Sequence, residues 1–332
     1  MNMRTLCRCT VLLAVLCQLS ACGSSTQGPE LVTVTSGAHA KTYDTLVVGF
    51  AQIGAESEWR SANTRSIQDT ARSLGVELKF SDAQQEQENQ IKAIRSFIAQ
   101  RVDVIGISPV VESGWDAVFA EAKAAGIPLI LLDRHANVPD DLFSAFIGSD
   151  FVQEGERACK EVARLLNDQG RIVVLEGTDG SAPTIDRRAG FQQCLKQHNG
   201  LQVIAQQSGE FIRARGKEVM KGFLREHGPQ INALFAQNDD MALGAIEAIE
   251  EYGLKPGVDI KIVSVDAVRA AFEAMIAGKL NVTIECNPLL GPQFFETALK
   301  LANGAPVEKW VKSEEDIFRQ DTAAQELPTR QY

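Results

Sequence analysis

The four histidines, His39, His135, His198 and His227, are scattered too widely to form a metal-ligand motif. Cysteine is also scarce once the N-terminal region is set aside. Of the seven, Cys7, Cys9, Cys17 and Cys22 all fall within the first 22 residues, leaving Cys159, Cys194 and Cys286. None of these stands at metal-ligand spacing, so no metal is expected. There is no excess of positive charge either: 33 basic and 43 acidic residues give a net charge of −10. An acidic chain with dispersed charge argues against nucleic acid as a partner. Beyond Cys22 no apolar run is long enough for a membrane helix.

What the chain does have begins with a leader. Arg4 and Arg8 precede Val11-Leu12-Leu13-Ala14-Val15-Leu16, an apolar stretch too short to span a bilayer. Leu19-Ser20-Ala21-Cys22 then matches a bacterial lipobox, so residues 1–22 are expected to be a lipoprotein signal peptide with Cys22 as the lipidated residue. Cleavage after Ala38-His39-Ala40 would lie too far from the apolar core. Residues 23–43, rich in Ser, Thr and Gly, read as a flexible tether of about 25 Å mean reach. The body is therefore expected to be exported, in the periplasm or cell envelope, and tied to a membrane through a lipid anchor. In that oxidising compartment three cysteines cannot all pair with one another. The sequence does not fix the pairing; Cys159 and Cys194, on helices expected in one lobe, are the favoured pair.

Beyond the tether, short apolar runs alternate with amphipathic segments. Strands are expected at 45–51, 76–81, 103–108, 127–132 and 143–148, with helices at 59–74, 86–100 and 115–125 between them. Ile91, Ile94, Phe97 and Ile98 mark the buried face of the second helix. After Ser149-Asp150 the pattern restarts, with strands at 171–176, 201–207, 232–237, 260–265 and 280–285 and helices between and after them. Such runs read as parallel strands buried on both faces. Two successive α/β units imply two similar lobes with a cleft between them.

The strands end abruptly in charged or amide side chains. Ile127 to Leu132 stops at Asp133-Arg134, Ala233 to Gln237 at Asn238, Ile262 to Val265 at Asp266, and Val282 to Ile284 at Glu285. The first strand leads to Gln52 and then to Glu56, Ser57, Trp59 and Arg60, and the second to Asp82. Ligands of open α/β sheets bind beyond the carboxyl ends of the strands. Carboxylates accept from adjacent hydroxyls while guanidinium groups donate through a planar fork, so this edge suits a polyhydroxylated ligand.

The segments Phe50-Ala51-Gln52-Ile53-Gly54, Glu56 to Arg60, Gln85 to Gln100, Leu132-Asp133-Arg134, Ile185-Asp186-Arg187, Arg215 to Met220 and Gln237 to Met241 resemble the periplasmic sugar-binding proteins of ABC importers. The likeness is to the ribose- and galactose-binding group, which shares its fold with LacI-type regulators, and within it to the galactofuranose-binding members. It implies an α/β fold of two doubly wound parallel-sheet lobes joined by a three-segment hinge, the type I periplasmic binding protein fold. The first lobe is expected to hold 44–149 and 286–314, and the second 150–285 and 315–332. The resemblance further implies ligand contacts from Glu56, Trp59, Arg60, Asp133, Arg134, Arg187, Asn238, Asp266 and Glu285. Gln52, Ser57, Asp82 and Phe211 are weaker candidates, and Trp59 or Phe211 could cover an apolar sugar face. One of Asp239 and Asp240 is expected to cap the following helix, leaving Asn238 to the ligand.

The implied function is a monomeric solute-binding lipoprotein that delivers a neutral monosaccharide, galactofuranose first, to a permease and ATPase complex, with no cofactor. A sugar-sensing lipoprotein that signals to a membrane receptor is the alternative. A LacI-type regulator would need an N-terminal helix-turn-helix where the leader and tether stand. Glycoside hydrolysis by paired carboxylates is disfavoured, because acids beside arginines are held ionised.

Overall fold

The computed structural model describes residues 40–332. The leader, Cys22 and the tether up to residue 39 lie outside the described residues. From Lys41 onward the chain is already held to the body: the Lys41 ammonium group donates to Asp103 at 2.9 Å, and its backbone N–H to the Asn303 side chain at 2.8 Å.

Strands and helices alternate from there. β1 (Val47–Gln52), α1 (Glu58–Leu74), β2 (Glu77–Asp82), α2 (Gln87–Ala99), β3 (Val104–Ile107), α3 (Asp116–Ala124), β4 (Leu129–Leu132) and β5 (Ala145–Gly148) come first. The second run is α4 (Phe151–Leu166), β6 (Gly170–Glu176), α5 (Ala182–Leu195), β7 (Leu201–Ser208), α6 (Arg213–His227), β8 (Ala233–Ala236), α7 (Asp239–Tyr252), β9 (Lys261–Asp266), α8 (Arg269–Ile276) and β10 (Val282–Glu285). α9 (Gly291–Ala302), β11 (Trp310–Lys312) and β12 (Ile317–Arg319) follow. β11 and β12 were not expected from the sequence. Each is three residues long, too short to show a period.

The strands form two six-stranded sheets, ordered β2-β1-β3-β4-β5-β11 and β7-β6-β8-β9-β10-β12. All pairings are parallel except β10 with β12. The 2-1-3-4-5 order is doubly wound, and its switch point lies between β1 and β3 in one lobe and between β6 and β8 in the other. The chain crosses between the sheets three times: from β5 to α4, from β10 to α9, and from β11 to β12. α9 returns to the first sheet so closely that a Cβ on Gly106 of β3 would stand 2.5 Å from the Phe294 ring.

Local chemistry fixes the helix ends that face the cleft. Ser57 caps α1 by accepting from the Arg60 N–H at 3.1 Å, and Gly75, at φ 77°, ends that helix in the left-handed conformation glycine tolerates. Asn238 caps α7 by accepting from the Met241 N–H at 3.0 Å. The central strands β3, β4, β5, β8 and β10 are buried along their whole length, as expected of a sheet covered on both faces. Cys159 on α4 and Cys194 on α5 are joined by a disulfide, and Cys286 is a buried free thiol.

Candidate functional site

Both sheets turn their strand ends toward one cleft, lined by Glu56, Ser57, Trp59, Arg60, Asp133 and Arg134 from the first lobe. Pro183, Arg187, Phe211, Asn238, Asp266 and Cys286 complete it. Its open space, solvent at the mouth included, is about 290 Å³. The chain is bent to bring these groups there. Asp133, Phe211 and Asp266 all have positive φ, at 64°, 62° and 122°, and such backbone typically costs about 1–3 kcal/mol per residue. Gly177 makes room for Phe211, whose ring would lie 1.9 Å from a Cβ at that position.

Charge is paired within each lobe. Arg60 donates to Asp133 at 2.5 Å and to Glu56 at 3.2 Å, and Arg134 stands 3.7 Å from the same Glu56 oxygen. Arg187 donates to Glu154 at 2.6 Å and to the Gln237 carbonyl at 2.6 Å. Burial pushes the Glu56 carboxyl up, but Arg60 and Arg134 outweigh it and hold the group below its ordinary value. Burial and the neighbouring Arg60 bring Arg134 down to about 10, which leaves it charged at neutral pH. Glu154 overcomes the burial of Arg187 and holds that guanidinium more firmly charged.

Asp266 departs from the expectation that every acid here is held ionised. Burial raises it well above the usual carboxylate range, Arg187 opposes this only in part, and Asp239, Asp240 and Glu154 add to it. In its protonated form it can donate to a hydroxyl as well as accept from one. Glu56 Oε2 and Arg134 Nε, one acceptor and one donor, are buried without a hydrogen-bond partner among the described residues.

Eight of the nine principal candidates line this cavity; Glu285 does not. It faces the hinge, where it accepts from Arg330 at 2.7 Å, from the Tyr332 hydroxyl at 2.9 Å and from the Asp316 N–H at 3.2 Å. Among the weaker candidates, Ser57 and Phe211 line the cavity. Gln52 lies beneath it, accepting from the Ile53 N–H at 2.9 Å and donating to Asn63 at 3.0 Å. Asp82 ends the edge strand β2, exposed, and accepts from the Gln84 N–H.

The helix cap also differs from expectation. Asn238 is itself the cap and donates to the Phe211 carbonyl at 3.1 Å, so most of its hydrogen-bonding capacity is already used. Asp239 is spent on Ser264, Thr283 and the Val268 N–H. Asp240 reaches across the cleft to the Glu58 N–H at 2.8 Å. Pro183 and Cys286 were missed. Pro183 carries only a helix-start signal, and nothing local marks a cysteine after a strand as a cavity residue.

A family model for the periplasmic binding protein domain matches residues 48–306. The galactofuranose-binding protein YtfQ of Escherichia coli (strain K12) is 42% identical over 287 residues, covering 85% of this chain and 90% of the relative. A crystal structure from Mycobacterium smegmatis in complex with β-D-fucofuranose superimposes with a TM-score of 0.84 at 52% identity, covering 86% of this chain and 95% of that one. The periplasmic binding protein component of the arabinose ABC transporter from Shewanella sp. ANA-3, bound to α- and β-L-arabinofuranose, gives 0.84 at 46% identity over the same shares. With its two doubly wound lobes and their shared cleft, the chain belongs to the periplasmic binding protein family.

Proposed function

We propose that this chain is the solute-binding lipoprotein of a sugar importer, anchored through acylated Cys22, which closes on a neutral monosaccharide and presents it to a membrane permease. Galactofuranose is the first choice of ligand, with other furanose-forming sugars behind it. The observation that carries this reading is the balance of charge around the cavity. Three guanidinium groups, from Arg60, Arg134 and Arg187, meet Glu56, Asp133 and Glu154, and burial pushes Asp266 toward its neutral form. Arginines and carboxylates are matched rather than in large excess of one sign, and together they offer the donors and acceptors that a ring of hydroxyls requires. Trp59 and Phe211 supply apolar faces for the ring carbons. The furanose preference draws support from the relatives whose names carry furanose sugars.

Titration calorimetry of the mature chain against D-galactose, methyl β-D-galactofuranoside, L-arabinose, D-ribose, D-fructose and a set of amino acids tests it. The galactofuranoside should bind tightest. Binding of amino acids alone would overturn the sugar reading, and a clear preference for D-ribose would overturn the choice of sugar. Intact mass of membrane-expressed protein, set beside Cys22→Ala, tests the anchor; an unacylated N-terminus beyond Cys22 would overturn it.

A further inference from the structure

Behind the cavity arginines the two lobes touch through a second set of charged groups. His135 directly follows Arg134 in the first lobe, and Asp186 directly precedes Arg187 in the second. His135 Nε2 lies 2.8 Å from Asp186 Oδ2, and His135 Nδ1 lies 3.2 Å from Glu112 Oε1. All three side chains are partly buried. Beside them the Glu112 N–H donates to the Gly180 carbonyl at 2.9 Å, a backbone hydrogen bond from one lobe to the other.

This geometry has a chemical requirement. A neutral imidazole has one N–H and one lone pair, so it can satisfy only one of two flanking carboxylates and sets its lone pair against the other. The imidazolium donates to both. In the imidazolium both nitrogens carry protons, so the protonated ring offers no lone pair to a cation.

We infer that Glu112, His135 and Asp186 form a proton-dependent latch that holds the lobes together when His135 is protonated. The inference rests on reading the cleft as one that closes over a ligand. Opening removes Asp186 from His135 and leaves only Glu112, so the closed form binds the proton more tightly. Burial works against the charged ring, but the bond to Asp186 and the charges of Asp186 and Glu112 prevail, raising His135 above its ordinary value of 6.5. Phe146 stands edge-on to the ring at 6.0 Å and does not titrate. The sign follows: the latch is lost as pH rises through the raised value of His135, and toward acid pH protonation of Glu112, whose carboxyl burial lifts above its ordinary range, weakens it again. The contact from Asp240 to Glu58 titrates as well, with Asp240 raised by burial to about 6. Differences between parent and variant therefore carry the information.

The parent, Asp186→Asn and His135→Gln are compared at pH 6.5 and pH 8.5, by titration calorimetry with L-arabinose and by small-angle X-ray scattering without sugar. In the parent, sugar should bind more than about twofold tighter at the lower pH, because the closed form holds the His135 proton more firmly than the open form. Each variant should change by less than about twofold over the same interval. In scattering, the sugar-free parent should be more compact at pH 6.5 than at pH 8.5, and the variants should not. Parallel pH profiles in parent and variants overturn the latch. If L-arabinose fails to bind at either pH, only the choice of ligand is at fault, and the scattering decides: a parent equally compact at both values overturns the latch.

Discussion

Trp59 of the first lobe donates its indole N–H to the carbonyl of Cys286 in the hinge at 2.5 Å, and its ring packs among the apolar side chains of the second lobe. Trp59 is 4% exposed and lies under the Arg60 guanidinium, 4.6 Å from the ring centroid. A side chain on one lobe that completes the core of the other is exposed when the lobes part. Sugar binding should therefore shift the tryptophan emission to the blue as Trp59 leaves water. Trp115 is fully buried in the first lobe, and Trp310 lies on the outer strand β11, so neither should respond. Trp59→Phe should abolish the shift, and an unchanged shift in that variant would show that closure does not involve Trp59.

Arg60 and Arg134 share Glu56 but should fail differently when truncated. Arg60 is spent within the protein, on Asp133 and Glu56. Its loss strands two buried carboxylates, so Arg60→Ala should lower the melting temperature as well as affinity. Arg134 keeps an Nε without a hydrogen-bond partner among the described residues and makes looser contacts of 3.7 and 3.9 Å with Glu56 and Asp133. Removing one partner of a buried charge pair costs about 3–5 kcal/mol, so Arg134→Ala should weaken sugar binding by about two to three orders of magnitude. Its thermal melt should move less than that of Arg60→Ala. Calorimetry and circular dichroism on the same preparations separate the two effects, and parent-like sugar affinity in Arg134→Ala would place the ligand elsewhere.

What could be read from the residues was position along a strand. An apolar run ending in a charge puts that charge at a sheet edge, and this holds for Asp133, Asn238 and Asp266 without knowledge of the partner strand. It holds for Glu285 too, yet Glu285 faces the hinge because Arg330 and Tyr332, brought back by the C-terminal segment, claim its carboxylate. Partners from distant segments also account for Glu154 beneath Arg187, Asp240 against Glu58, and Asp186 against His135. No periodicity encodes such pairings. The edge strands β11 and β12 were hidden for another reason: three residues cannot display an alternation.

The disulfide between Cys159 and Cys194 ties α4 to α5 across 35 residues of sequence. Neither cysteine lines the cavity. Cross-linking acts mainly on the unfolded chain and is typically worth about 2–4 kcal/mol. Reduction, or the double change Cys159→Ala with Cys194→Ala, should lower the denaturation midpoint while leaving sugar affinity at the parent value. A loss of affinity without loss of stability would mean that the bond positions Arg187, which lies on the same helix.

Glu315 joins the three crossings between the lobes. On the first crossing Ser149 donates its hydroxyl to the Glu315 carboxyl, and on the second the Asn287 N–H donates to the same oxygen at 3.3 Å. Burial is the chief reason that this carboxyl is raised from its ordinary 4.5 to about 9; Glu154 adds to the rise, while Ser149, Asn287 and Arg187 oppose it. A carboxyl raised on folding binds its proton more tightly in the folded chain, so its contribution is fully present below about 4.5 and is lost as pH climbs toward about 9. Glu315→Gln keeps an acceptor for Ser149 and Asn287 without the charge. The parent should therefore lose more thermal stability than the variant between pH 6 and pH 9, and the variant should be the more stable of the two at the alkaline end. Asp239, raised by burial to about 7, titrates in the same window in both proteins, which is why the difference between their melting curves is the quantity to follow. Parallel curves across the range would mean that Glu315 is ionised in the folded hinge, with Arg187 and the hydrogen bonds prevailing over burial.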